Sequence, residues 1–384
     1  MRIRAALALL CALLAACATA PPAPPPPGLF ADARFRAPSE AIDAAAIFAV
    51  SEAMRQYLRQ HIVPRTRGRN PRQVLFDALY SKGQLKLEYD ATQTRNAAQT
   101  FEARAGNCLS LVLMTAALAG EMGLRVQYQS VLADENWSRN GELYFVSGHV
   151  NLVLGTGKLD QSIGYDTGAN MTIDFLPPQQ TRGYRTVAID EATVAAMYMN
   201  NRAAEALAQE RVDDAYWWAA AAVRRQPGFG AAYNTLGVAF RRHGDLEQAR
   251  RAFALALARA PADTRVMDNL AQTLAALGRA DEAQALRRQL AQLLPHPPFA
   301  YFNEGRTALR RGDFEGAAAL FLKELERDPD YHEFHFWLAQ AYAGLGQAER
   351  AERQLDLAFD ASTTRRDQQL YAGKLARLRA LRPH

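Results

Sequence analysis

From about residue 190 onward the apolar positions recur at helical spacing, and the helices they predict come in pairs. The clearest stretch runs Tyr233, Leu236, Gly237 and Phe240, then Ala249, Phe253, Ala256 and Pro261. Large side chains three and four residues apart build one apolar face on each of two helices. Small residues at 237 and 249 stand where those helices approach closely. The proline ends the second helix because it cannot continue the hydrogen-bond ladder. The register then repeats as Met267, Leu270, Ala271, Leu274, Ala283 and Pro295, and again as Tyr301, Gly305, Ala308, Ala317, Phe321 and Pro329. A further copy has Leu338, Ala339, Tyr342, Ala351 and Ala358, with Thr363 where proline is expected. A first copy near 196–229 keeps Ala203, Ala215, Ala222 and Pro227, with Ala219 at the aromatic position. Residues 366–384 are read as a polar-faced closing helix and tail, because terminal units of a stack are atypical.

Residues 38–190 follow a different pattern. Positions 39–62 predict an amphipathic helix with Ser39 as its N-cap. Positions 71–80 predict a second helix, and 107–122 a third with Gly123 just past its end. Alternating apolar and polar positions then predict strands over 125–131, 143–154, 171–175 and 184–189, with a break at Pro177-Pro178. Helices followed by an antiparallel sheet imply an α+β domain. Residues 192–201 lead straight into the repeats and predict a rigid joint.

Pro227, Pro261, Pro295 and Pro329 are each 34 residues apart. With the pattern above, this period resembles the tetratricopeptide repeat. The resemblance spans about half the chain and implies five repeats over 191–365, forming an all-α solenoid that binds a protein or peptide partner. Arg241, Arg265 and Arg306 fall at positions that often line the groove of such a solenoid, with Phe299, Phe302 and Phe336 beside them. A partner of acidic and apolar character would fit them.

The first residues bear on location. Arg2 and Arg4 precede an apolar stretch over 5–14, which reads as a secretory signal too short to span a bilayer. Leu14-Ala-Ala-Cys17 resembles the bacterial lipobox, which implies a signal over 1–16, cleavage before Cys17, and acylation of that cysteine. Ala18 in place of Asp implies, by resemblance to Gram-negative lipoproteins, the outer membrane facing the periplasm. The proline run at 21–27 extends about 3 Å per residue and makes 17–37 a stiff tether.

Composition changes this picture little. The formal charge of +5 falls to +3 once Arg2 and Arg4 leave with the signal, so charge makes no case for nucleic acid. Arg65, Arg67, Arg69 and Arg72 read as a solvated loop. No phosphate loop, dinucleotide fingerprint or zinc spacing stands in the chain, so no cofactor or metal is expected. His332 and His335 share a helical face without a third ligand, and Trp217-Trp218 reads as packing. The three cysteines are Cys11, lost with the signal, Cys17 and Cys108. No disulfide framework follows, and Cys108 is the single free thiol of the exported chain.

Cys108 opens the third helix in Arg104-Ala-Gly-Asn-Cys-Leu-Ser110, where Gly106 permits a sharp turn and Asn107 caps. A cysteine in the first helical turn faces the positive end of the helix dipole, which favours the thiolate. His149, in Ser147-Gly-His-Val-Asn151, lies on a strand and supplies an imidazole to move the proton. A carboxylate is needed to hold its tautomer. Asp174 is favoured, Asp166 is the rival, and Asp160 lies close to the turn. The Gly106-Asn-Cys108 helix start, His149-Val-Asn151 and an acidic residue on the returning strand together resemble the transglutaminase-like superfamily of papain-like cysteine enzymes. That resemblance covers roughly 80–180. It implies a nucleophilic Cys108, His149 as general base and acid, and acyl transfer at an amide, by hydrolysis or by cross-linking. The alternative is a non-catalytic, lipid-anchored scaffold.

Overall fold

The computed structural model describes residues 23–380 apart from 81–84, 86, 92, 141–142, 156–169, 176–183 and 363. The first helix, α1 (Glu52–Tyr57), is capped by Ser51, whose side chain accepts from the Met54 N–H, and it runs on through a π-helical turn, Leu58–Ile62. The helix expected from residue 39 therefore starts thirteen residues later. Asp43 bonds the Ala45 N–H locally, and such a contact competes with helix formation. Ser39 is no cap: its N–H and hydroxyl both donate to Asp214, each at 2.7 Å.

Helix α2 (Pro71–Tyr80) matches its expected span and begins on a proline, which has no N–H to leave unpaired. A two-residue strand β1 (Glu88–Tyr89), helix α3 (Ala97–Ala103) and strand β2 (Ala105–Gly106) come next, with β1 and β2 parallel. Helix α4 (Cys108–Glu121) is apolar all round, and every residue from Leu109 to Ala119 is buried. Such a helix has to be enclosed. One wall is an antiparallel sheet of β3 (Arg125–Asn140), β4 (Leu143–Gly155), β5 (Met171–Ile173) and β6 (Arg185–Ile189), in the order β5-β4-β3-β6. Val150, Leu152 and Leu154 of β4 join the core with α4, while His149 and Asn151 alternate with them along the strand.

Five helix pairs complete the chain: α5 (Glu191–Ala208) with α6 (Val212–Arg225), α7 (Gly230–His243) with α8 (Leu246–Arg259), α9 (Thr264–Ala276) with α10 (Ala280–Leu293), α11 (Ala300–Arg310) with α12 (Phe314–Arg327), and α13 (His332–Gly344) with α14 (Ala348–Asp360). Helix α15 (Arg365–Ala380) closes the stack. Tyr233, Leu236 and Phe240 are fully buried between helices. A Cβ at Gly237 would stand 2.6 Å from the Phe253 ring, and one at Gly305 would stand 2.8 Å from the Phe321 ring, so each of these two helix pairs closes only over a bare backbone. The four prolines each sit two residues past the end of a helix. The turn inside each pair needs a left-handed residue, supplied by Gly244, Gly278, Gly312 and Gly346 and, in the first pair, by Glu210 at φ 60°. One continuous core runs from the first part of the chain through the third helix pair, and the last two pairs hold a second core around Phe302, Phe321 and Phe334.

Residues 28–37 are not tether. The residues after the proline run are held in the fold: Leu29 is fully buried and Phe35 is 7% exposed. The Phe35 ring stacks on Tyr216 with centroids 3.8 Å apart. Asp32 takes both oxygens to Arg224 at 2.8 Å and receives the Tyr216 hydroxyl, while Arg34 pairs with Asp245. Trp217 donates to the Arg36 carbonyl at 2.6 Å, and Arg251 to that of Gly28 at 2.8 Å. This strap crosses α6 and α8. Truncating a buried phenylalanine costs about 3–5 kcal/mol. Phe35→Ala is therefore expected to lower the denaturation midpoint clearly in urea, followed by the fluorescence of Trp217 and Trp218. An unchanged midpoint would return 28–37 to the role of a free tether.

Candidate active site

The corner that presents Cys108 is built before the cysteine is reached. Arg104 takes a left-handed conformation at φ 51° and turns the chain out of α3 into β2. A Cβ at Gly106 would lie 2.7 Å from the Ser110 Cβ, so only glycine lets β2 run into the start of α4. Asn107 then caps α4: its Oδ1 accepts from the N–H and the hydroxyl of Ser110, both at 2.9 Å. Such a cap stabilises by about 1 kcal/mol. Ser110 is fully buried and accepts in turn from the Arg95 N–H at 2.9 Å, while the Arg95 guanidinium holds Asp90 at 2.8 Å. Cys108 is thereby fixed in the first turn of α4, half-buried, with a free thiol.

His149 lies on β4 opposite Val131 and is 8% exposed. Its Nε2 is 2.7 Å from Asp174 Oδ1. Asn151 Nδ2 donates to the second oxygen of the same carboxylate at 3.0 Å. The Cys108 thiol lies near enough to the imidazole to act on its pKa. With Nε2 given to Asp174, Nδ1 is the nitrogen left to exchange a proton with sulfur. Burial alone would hold the imidazole neutral. The hydrogen bond to Asp174 and the nearby Cys108 thiol, with the charges on both, outweigh it and push the His149 pKa up to about 9. Cys108, His149 and Asp174 thus stand together at one corner, a thiol, an imidazole and a carboxylate.

Asp166, Asp160 and Cys17 lie outside the described residues. Sequence reasoning passed over Tyr89, which pairs with Gly106 across β1 and β2, is 47% exposed, and lies close enough to Cys108 for their charges to interact. A two-residue strand carries no periodicity that would have flagged it. Asn151 was visible only as part of the His149-Val-Asn151 string, and its hold on Asp174 needed the structure.

Two of the six expected groove residues are buried side chains. Phe299 and Phe302 are buried in the second core, 2% and 0% exposed, and so are corrected from groove to core. Arg306 lies over the Trp337 ring at 4.9 Å, Arg241 bonds Gln272 at 2.9 Å, and Arg265 pairs with Asp263 at 2.6 Å. Phe336 packs on Trp337 and Tyr371. The two histidines, His332 and His335, tie helices together: His335 bonds Gln354 and the Pro329 carbonyl, and His332 bonds the Tyr371 hydroxyl. Trp217 and Trp218 do pack, and both also bond the segment that precedes α1, at Arg36 and Glu40.

Residues 234–296 and 302–364 match the family model of the tetratricopeptide repeat. No curated protein matches the chain. Among solved structures it is similar to TTC0263, a thermophilic TPR protein in Thermus thermophilus, at 19% identity over 47% of this chain and 99% of that one, with a TM-score of 0.31. It is also similar to YrrB, a TPR protein with an unusual peptide-binding site, at 21% identity over 47% of this chain and 92% of that one, with a TM-score of 0.26. A third is pilF of Pseudomonas aeruginosa, at 19% identity over 49% and 86%, with a TM-score of 0.30. The C-terminal half of the chain is an all-helical, tetratricopeptide-like solenoid.

Proposed function

We propose that this protein is an envelope acyltransferase or amidase, in which a transglutaminase-like domain carries the chemistry and the solenoid presents a protein substrate to it. The observation that carries this reading is the placement of His149: its Nε2 is 2.7 Å from the Asp174 carboxylate, and the ring lies near enough to the Cys108 thiol for the thiol to raise its pKa. The thiol gives its proton to His149, and the sulfur attacks an amide carbonyl. The imidazolium protonates the leaving amine, which departs and leaves a thioester on Cys108. Water resolves it to an acid, or a second amine resolves it to a new amide. The backbone N–H of Cys108 at the start of α4 is the donor this reading expects for the developing oxyanion. Acylation of Cys17 would hold the protein on the outer membrane, facing the periplasm. A second reading, a lipid-anchored scaffold without turnover, has the tetratricopeptide match in its favour, because such repeats bind protein partners.

Iodoacetamide separates the two. In the active reading Cys108 labels rapidly at and below about pH 7, and His149→Ala abolishes the fast phase. Slow labelling that His149→Ala leaves untouched favours the scaffold. Asp174 gives an independent check. The folded pKa of His149 is raised from 6.5 to about 9, so the stability it adds is complete below 6.5 and is lost as pH rises through about 9. Asp174→Asn removes one source of the shift and is expected to move the imidazole titration down toward 6.5, followed by NMR. It is also expected to shrink the melting-temperature drop between about pH 6 and about pH 9. A titration unmoved by the substitution would refute the pairing.

A further inference from the structure

The buried corner at Cys108 continues past its own domain. Asn107, the cap of α4, donates from Nδ2 to Thr94 Oγ1 at 2.9 Å. Thr94 is 1% exposed, and its N–H donates to Glu205 Oε1 at 2.7 Å. Glu205 belongs to α5, the first helix of the repeat stack. Asn201, one turn earlier on that helix, also reaches Thr94 Oγ1, at 3.3 Å. The second oxygen of Glu205 receives Arg202 at 2.9 Å, and Arg202 in turn holds Glu40 at 2.7 Å. An unbroken line of short hydrogen bonds therefore runs from a repeat helix, through Thr94, to the residue that sets the first turn beneath Cys108. Each link of that line is partly buried, where such bonds are strong and a missing partner is expensive.

We propose that Glu205 is a positioning residue for Cys108, so that the first repeat helix completes the acyl-transfer site of the preceding domain. The inference rests on the acyl-transfer reading of that site. Glu205 never meets the reacting atoms. It holds the Thr94 backbone, Thr94 orients Asn107, and Asn107 fixes the turn that carries the thiol toward His149. The solenoid is then part of the catalytic frame as well as a docking surface, and a ligand that tilts α5 would change the reactivity of the thiol.

Three substitutions in the full-length chain test this. Glu205→Ala removes the acceptor for the Thr94 N–H, whereas Glu205→Gln keeps an oxygen there. Glu205→Ala is expected to slow iodoacetamide labelling of Cys108 by about tenfold and to speed amide hydrogen exchange over residues 107–111 by a similar factor. Glu205→Gln should restore both. Glu40→Gln loosens Arg202 without touching Thr94 and should change neither. Unchanged labelling or unchanged exchange in a Glu205→Ala protein that still melts cooperatively overturns the proposal. So does an equal effect from Glu40→Gln, which would mean general loosening of α5. Failure of His149→Ala to alter labelling of the wild type is a separate result. It removes the acyl-transfer reading, while exchange at 107–111 still decides whether Glu205 sets the start of α4.

Discussion

The side chains of α5 pack in two directions, and both halves of the chain lean on them. Val194, Ala195, Ala196, Tyr198 and Met199 are buried in the core that also holds α4 and the strands of the sheet. Ala203, Ala206 and Leu207 are buried within the same core, which runs on through Ala215, Tyr216 and Ala219 of α6. Three of its polar residues are equally committed, Asn201 and Glu205 to Thr94, and Arg202 to Glu40. A helix used on every side can neither swing nor be trimmed without cost, because interiors packed to crystal-like density have no slack. The two regions differ in architecture, yet they are not separable bodies joined by a linker.

How the site and the solenoid were legible differs for physical reasons. The repeats announce themselves because one packing solution recurs: a large aromatic from one helix is met by a glycine on the other, as Phe253 meets Gly237 and Phe321 meets Gly305. The start of α4 was legible because capping is local, with Asn107 and Ser110 only three residues apart. His149 and Asp174 could be named as candidates, but their 2.7 Å contact depends on β4 pairing with β5, a long-range event without a local signature. The inter-helix glycines at 244, 278, 312 and 346 were in plain view at the repeat period and went unread.

Other misreadings share one cause. Leu29, Phe35 and Ser39 show no helical or strand period, and the partners of Phe35 and Ser39 lie on α6 and α7, far along the chain. Phe299 and Phe302 sit where groove residues are common in this repeat type. Here, though, Phe299 enters α11 in a left-handed conformation at φ 63°, and both rings close the second core against Phe334. Periodicity says which face of a helix is apolar; it does not say what arrives to cover it.

The strap also sets the mechanics of the chain. A pull on the residues ahead of Gly28 does not reach the sheet or Cys108 first. It enters α6 and α8 through Asp32, Arg34 and the stacked rings of Phe35 and Tyr216. These contacts are spread along the segment, so several must yield together before load passes to residues 38 onward. A tug from the N-terminal side is thus borne by the solenoid, and the cysteine corner sits mechanically in its shadow.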